Sequence, residues 1–187
     1  SSNLFNLLFL FITLLYKSFK SDVANLPPSS WTIGRRSGGS TGSNTLSIAN
    51  DIQKKYNVTT IAHLTCVGAT KEKIRADLDG FKAAGIENIF ALRGDRPLNF
   101  EGDPFIDFRY ASDLVSEIKA YGDFCVGGAC YPEGHVDSVH KIDDIKNLKK
   151  KVDAGCEFLT TQMFFDNNIF YSFLYNIEMQ MISCFCI

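Results

Sequence analysis

Residues 86–97, IENIFALRGDRP, decide the predicted fold, because an apolar run rich in β-branched and aromatic residues ends directly in charged side chains. Such a run is typical of a buried strand. Gly85 precedes it and is a candidate helix C-cap. Before that glycine, Ile74, Leu78 and Phe81 recur at the spacing of one helical face. The stretch therefore indicates a helix followed by a strand.

The same unit recurs along the chain. Four strands are predicted, over residues 59–66, 87–94, 124–131 and 156–163. The last three each follow a glycine that ends a helical pattern: Gly85, Gly122 and Gly155. The helix before the last strand is predicted to bury Ile142, Ile145, Leu148 and Val152. Alternation of helices and short apolar strands is typical of βα units with a parallel sheet.

Repeated βα units can close into a barrel or spread as an open, doubly wound sheet. Polar residues at the carboxyl ends of the predicted strands separate the two: His63, Cys66, Arg93, Asp95, Tyr131, Glu133, His135, Gln162 and Asp166. The strand ends of a barrel converge on one site, whereas four consecutive strands of an open sheet would not meet at one ligand. The pattern favours a (β/α)₈ TIM barrel, incomplete in a chain of 187 residues.

Composition and charge exclude several classes of function. The formal net charge of −2 offers no support for binding DNA or RNA. The six cysteines form no CxxC pair and suit a reducing compartment, so we expect a cytoplasmic protein. His63, Cys66, Cys130 and His135 are the usual ligand types for zinc, but they lack the close spacing of known zinc sites. We expect no metal.

The two ends differ in character from the middle. Residues 4–16 form an uncharged apolar run of 13 residues, shorter than the roughly 20 that a spanning helix needs, so membrane binding is not favoured. We divide the chain into an apolar N-terminal segment (residues 1–33), expected to be artefactual or truncated, a partial barrel (34–166) and a divergent apolar tail (167–187). The tail shows little helical or strand regularity.

Two charged features leave alternatives open. A loop carboxylate such as Asp95 commonly caps a turn or pairs with Arg93 or Arg96. At the mouth of a barrel it would instead stabilise a cationic intermediate and disfavour extra negative charge on a nearby cofactor. Lys150 and Lys151 either belong to a solvated helix face or neutralise a phosphate.

Several motifs together make the chain similar to a known family. AHLTCVGATKEKIRADLDGFKAAGIENIFALRGDRP, ACYPEGH, NLKKKVDAG and TTQMFFD occur in order within about residues 38–166. They resemble the catalytic domain of methylenetetrahydrofolate reductase. That resemblance implies a (β/α)₈ flavoprotein that passes hydride from NADH or NADPH to FAD and then to 5,10-methylenetetrahydrofolate. The product, 5-methyltetrahydrofolate, serves methionine synthesis.

The resemblance also assigns roles to residues of this chain. Asp95 would be catalytic and would contact both the flavin, at its N1 and C2 carbonyl edge, and the folate, whose other ligand would be Gln162. Lys150 and Lys151 would serve the FAD phosphates. The full set of implied FAD-binding residues is His63, Arg93, Gly94, Asp95, Tyr110, Ala111, Tyr131, His135, Asp144, Asn147, Lys150 and Lys151. The family allows a homo-oligomer.

The sequence departs from the family pattern in two places. The family begins with a strand of the type FEFFPP, whose glutamate protonates the folate, but the N-terminal region here offers only NLPPSSW. The family segment TWGAGGST appears as GRRSGGST, with Gly34 in place of a flavin-contacting threonine and Arg35 in place of tryptophan. The alternative expectation is therefore a catalytically inactive fragment or an interaction subunit of such a reductase.

Overall fold

The structure is a computed structural model that describes residues 31–33, 43–96, 101–138 and 140–186. Strands and helices alternate through these residues. The strands are β1 (Trp31–Ile33), β2 (Thr60–Thr65), β3 (Asn88–Leu92), β4 (Cys125–Cys130), β5 (Phe158–Thr161) and β6 (Phe185–Cys186). The helices are α1 (Ser43–Tyr56), α2 (Lys71–Ala83), α3 (Ala111–Tyr121), α4 (Lys141–Asp153) and α5 (Asn167–Met179).

The described strands form one parallel sheet in the order β1-β2-β3-β4-β5-β6. Each strand pairs with the next one along the chain, as Ile61 pairs with Asn88 and Gly127 with Phe158. A doubly wound sheet would reverse this order at a switch point, whereas a (β/α)₈ barrel continues it around eight strands. The prediction of an incomplete TIM barrel is confirmed, with six strands in the described part of the chain.

Helix α2 shows how local sequence produces the repeating unit. The Oγ1 atom of Thr70 accepts a hydrogen bond from the Lys73 amide at 3.3 Å and so caps the helix. Ile74, Leu78 and Phe81 are fully buried or nearly so, which confirms the predicted apolar face. These three side chains join the larger buried core of strand and helix residues, which holds α2 against the rest of the fold.

The sheet buries apolar side chains on both of its faces. Side chains of alternate strand residues, such as Leu64 and Val126, pack with the helices in the larger core. The opposite face carries a second cluster that includes Phe90 and Phe158, whose ring centroids are 6.1 Å apart. A Cβ on Gly127 would overlap the Phe158 ring, so this glycine makes room for the ring on the inner face. Alternation along each strand thus separates a helix-facing layer from a barrel-facing layer.

One predicted core residue lies elsewhere. Ile145 and Leu148 are buried on α4, but Ile142 is 46% exposed. Ile142 lies in the first turn, before the part of α4 that packs on the sheet, so helical periodicity alone placed it wrongly.

The C-terminal segment, whose sequence shows little helical or strand regularity, forms α5 and β6 and continues the βα pattern. The Asp166 side chain accepts a hydrogen bond from the Asn168 amide and caps α5. Phe173 and Ile177 are buried on this helix, while Tyr171, Tyr175 and Met179 are exposed. Apolar residues on both faces obscure the helical period, which explains why the sequence pattern missed the helix.

The N-terminal expectations fall largely outside the described residues. The apolar run at residues 4–16 and the GRRSGGST segment are among these, whereas residues 31–33 form β1. The division of the chain into three segments stays a prediction. Among the described helices, none has the length and apolar character needed to cross a membrane.

Candidate active site

A cavity of about 430 Å³ opens at the carboxyl ends of β3 and β4. The N-terminus of α3 and one face of α4 complete its wall. Nine of the predicted site residues line it: Arg93, Tyr110, Ala111, Tyr131, His135, Asp144, Asn147, Lys150 and Lys151. The fold therefore gathers into one cavity residues that lie up to about 60 positions apart in the sequence.

Two lysines of α4 contribute positive charge to this cavity. The Lys151 Nζ atom donates to the Ala129 carbonyl at 2.6 Å, and burial lowers the pKa of this ammonium group. A Cβ on Gly128 would lie 2.7 Å from Lys151 Cδ, so the glycine leaves room for the lysine stem. Lys150 Nζ donates to Asn147 Oδ1 at 3.1 Å. In these hydrogen bonds both ammonium groups have neutral partners, so neither is in a direct ion pair with a carboxylate.

Arg93 adds a third cation, directly after β3. Its Nη2 atom lies 2.7 Å from Asp137 Oδ2, and its guanidinium lies 5.3 Å from the centroid of the Phe105 ring. The ion pair and the cation–π contact hold the guanidinium from two sides.

The loop after β4 is held by a carboxylate of α4. Asp144 accepts hydrogen bonds from the His135 amide at 3.2 Å and from Ser138 Oγ at 3.5 Å. The His135 Nδ1 atom accepts from the Asp137 amide at 3.1 Å, which assigns the ring proton to Nε2. The His135 ring stands edge-on to Tyr131, with centroids 4.7 Å apart. Asp144 therefore acts on the cavity by shaping this loop.

The N-terminus of α3 forms the opposite part of the wall. Asp113 Oδ2 accepts hydrogen bonds from the amides of Tyr110 and Arg109, at 2.9 and 3.1 Å. This contact fixes the first turn of the helix, which places Tyr110 and Ala111 beside the cavity. Tyr110 is 56% exposed and so presents its ring at the surface of the wall.

Asp95 lies outside the wall but close to it. Gly94 precedes it with a φ of +79°, a conformation that turns the chain after β3. Burial raises the pKa of Tyr131, and the charge of Asp95 raises it further. The exposed carboxylate of Asp95 therefore acts electrostatically on a residue of the cavity wall.

His63 lies on the inner face of the sheet rather than in the cavity wall. Its ring centroid is 5.0 Å from that of Phe90, and burial lowers its pKa to about 4. The ring is therefore neutral at pH 7. Its Nε2 atom is buried without a hydrogen-bond partner among the described residues. A buried polar atom of this kind costs free energy unless a ligand or water satisfies it.

Gln162 also lies outside the cavity wall. It directly follows β5 and is half-buried. Its backbone amide donates a hydrogen bond to the Cys130 carbonyl at 2.7 Å. Since Cys130 lines the cavity, Gln162 is adjacent to the predicted site. Of the residues predicted to bind FAD or folate, His63, Gly94, Asp95 and Gln162 are the four that do not line the wall.

Sequence reasoning missed other residues of the wall, among them Ser112, Asp137 and Ser138. Asp137 and Ser138 follow His135 within the same loop, so their polarity and position after a strand were a usable signal. No group of three or more His, Cys, Asp or Glu side chains suited to a metal ion occurs in the described ranges.

The fold and this cavity define a (β/α)₈-barrel protein with a cation-lined site at its strand ends. A family model described as methylenetetrahydrofolate reductase matches residues 12–187. The chain belongs to the methylenetetrahydrofolate reductase family, as its motifs predicted.

Curated relatives agree with this assignment. "Methylenetetrahydrofolate reductase (NADH) 1" of Zea mays is 40% identical over 172 residues, covering 84% of this chain and 29% of the relative. "Methylenetetrahydrofolate reductase 2" of Schizosaccharomyces pombe is 41% identical over 146 residues, covering 72% and 23%. "5,10-methylenetetrahydrofolate reductase" of Pectobacterium carotovorum is 41% identical over 122 residues, covering 65% and 40%. The chain thus spans less than half the length of these relatives.

Solved structures of more distant proteins share the fold. A phosphonopyruvate hydrolase complex with oxalate and Mg²⁺ has a TM-score of 0.57 at 12% identity, covering 74% of this chain and 49% of that one. A 2,3-dimethylmalate lyase has a TM-score of 0.58 at 10% identity, covering 75% and 48%. At such low identity the likeness concerns the fold alone.

Proposed function

We propose that this chain is part of an FAD-dependent oxidoreductase that reduces 5,10-methylenetetrahydrofolate to 5-methyltetrahydrofolate with NADH or NADPH, in one-carbon metabolism and methionine synthesis. Family membership supports the reaction. The observation that supports FAD as the cofactor is that nine residues predicted to bind FAD line one cavity. Relatives in maize, rice and Arabidopsis are named as NADH enzymes, which favours NADH as the donor.

The cavity suits a ligand with phosphate groups. Its volume of about 430 Å³ lies within the usual range for small-molecule sites, and three of its lining side chains are cationic. Arg93, Lys150 and Lys151 would hold the diphosphate, since ammonium and guanidinium groups bind phosphate oxygens through charge-assisted hydrogen bonds. When bound, FAD supplies the hydride transfer between nicotinamide and folate.

Residues beside the cavity would tune and orient the reacting groups. The carboxylate of Asp95 disfavours additional negative charge nearby and stabilises a cationic folate intermediate. Gln162, next to Cys130 in the wall, would donate to the folate from its side-chain amide. The buried Nε2 atom of His63 has the capacity for one more hydrogen bond. These roles rest on the family resemblance and on the positions described above.

Flavin binding tests the proposal directly. The purified chain should carry flavin absorbance or gain it on mixing with FAD, and FAD should raise its melting temperature through preferential binding to the folded state. Oxidation of NADH or NADPH with menadione as the acceptor would then measure the reductive half-reaction. A folded, colourless protein whose melting temperature does not respond to FAD would contradict the proposal.

A non-catalytic interaction subunit is the second candidate. One sequence departure favours it: Gly34 and Arg35 stand in the GRRSGGST segment where the family pattern has threonine and tryptophan. Co-purification with an intact reductase at fixed stoichiometry would support this role, whereas a flavin-loaded monomer would contradict it. A homo-oligomer stays a prediction. We also propose a cytoplasmic location, in keeping with six cysteines that all lie in the described residues and form no disulfide there.

A further inference from the structure

The Arg93–Asp137 ion pair belongs to the wall of the cavity. Arg93 follows β3 and Asp137 lies in the loop after β4, so the pair links the ends of two neighbouring strands. The Arg93 side chain is 34% exposed and the Asp137 side chain 56%. Water reaches both groups, and an ion pair of this kind is weak enough to exchange partners.

Asp137 differs from the other carboxylate of the wall. Asp144 is engaged by the His135 amide and by Ser138, so its charge is used to shape the loop. The side chain of Asp137 has one hydrogen-bond partner in the described part of the chain, which is Arg93. Its other close polar neighbour is His135 Nδ1, 4.0 Å from its Oδ2 atom. The backbone amide of Asp137, not its carboxylate, makes the contact that shapes the loop.

The three cations of the wall are consequently not equivalent. Lys150 and Lys151 donate to a neutral amide oxygen and a neutral carbonyl oxygen. Arg93 is already neutralised by a carboxylate. An incoming anion can therefore contact the two lysine ammonium groups directly, but it must displace Asp137 to bind the guanidinium of Arg93.

We propose that Asp137 is an exchangeable counter-ion of Arg93, which a phosphate group of the ligand displaces. This inference rests on the proposed binding of FAD, whose diphosphate is the displacing anion. Asp137 competes with the ligand for Arg93, so it lowers the affinity of the site for all phosphate ligands. Anions that bind Arg93 too weakly to displace Asp137 are thereby excluded. Asp137 is a specificity-determining residue, and a repulsive charge within a binding site is a common source of such selectivity.

Calorimetric titration of wild type and Asp137→Asn tests the exchange. The amide keeps the size of the side chain and the backbone contact of the loop, while it removes the charge. Inorganic pyrophosphate, FAD and riboflavin serve as probes, since riboflavin lacks phosphate. Asp153→Asn is the matched control, because it removes the same charge from an exposed ion pair with Lys149 outside the cavity.

We expect pyrophosphate and FAD to bind Asp137→Asn about two- to fivefold more tightly than wild type at low salt, the range that an exposed ion pair allows. Riboflavin should bind all three proteins equally, and Asp153→Asn should match wild type. Equal or weaker binding of pyrophosphate to Asp137→Asn would overturn the inference, as would absence of pyrophosphate binding in both proteins. If wild type binds pyrophosphate but not FAD, the flavin proposal fails while the pyrophosphate comparison still decides the role of Asp137.

Discussion

Acid should destabilise this protein through His63. Burial lowers the pKa of this imidazole from 6.5 to about 4 in the folded state. Below pH 6.5, His63 therefore binds a proton in the unfolded chain but stays neutral in the folded chain until the pH approaches 4. The stability linked to His63 is fully present above pH 6.5 and is lost as the pH falls toward 4. Between about pH 7.5 and about pH 4.5, this linkage removes about 2.5 kcal/mol from the free energy of unfolding.

Urea unfolding followed by circular dichroism, at a series of pH values, measures this loss. Carboxylates titrate in the same range, so wild type is compared with His63→Gln, which keeps a polar side chain but does not titrate. Wild type should lose about 2.5 kcal/mol more than His63→Gln over this interval. His140→Gln is the control, because it removes an exposed imidazole and leaves the buried one of His63 in place.

Two results would refute the reasoning. One is a pH dependence of unfolding that is parallel in wild type and His63→Gln. The other is an imidazole resonance of His63 that titrates near pH 6.5 in the folded protein. Nitrogen-15 spectra of the three histidines give this second measurement directly, with His63 expected to stay neutral at pH 5.

Further predictions concern the cavity and the fold. Lys151→Met should weaken FAD binding at least about tenfold in a fluorescence titration, because it removes a charge-assisted contact, whereas Lys149→Met should not; equal effects would contradict the phosphate role. Gly94→Ala should lower the free energy of urea unfolding by about 1–2 kcal/mol, since φ is +79° and the new Cβ would lie 3.0 Å from a side chain. Gly122→Ala, which meets no atom within 4 Å, should change it by less than about 0.5 kcal/mol. Thr70→Ala should cost about 1 kcal/mol by removing the cap of α2, and a thermal unfolding midpoint equal to wild type would count against that cap.

The central βα units were predictable because their signals are local and agree with one another. Before β3 the sequence shows a helix cap, one apolar helical face and a glycine at the end of the helix. An apolar run with β-branched residues follows, and all of these signals predict the same helix–strand unit. Helix α5 was missed because Tyr171, Tyr175 and Met179 place apolar groups on its exposed face as well. Strands β1 and β6 comprise three and two residues, too few for a period of two to be visible.

The site was predictable to the extent that it follows strand ends. Arg93 and Tyr131 lie at the carboxyl ends of predicted strands, His135 follows one closely, and all three line the cavity. The lysines of α4 remained ambiguous, because a solvated helix face and a phosphate site have the same composition. Only the three-dimensional structure shows that Lys151 is half-buried, with its stem beside Gly128. The Arg93–Asp137 pair joins residues 44 positions apart, and no local pattern predicts such a partner.

The sequential order of the strands has a consequence for how this chain is made. Each strand pairs with a neighbour about thirty residues away, as Ile61 pairs with Asn88 and Leu159 with Cys186. Contacts at such short range form quickly and need no distant part of the chain. During synthesis, each new βα unit can therefore dock on its predecessor as it leaves the ribosome, before later units exist. The cavity between β3, β4 and α4 would be assembled once residue 153 has emerged, ahead of α5 and β6.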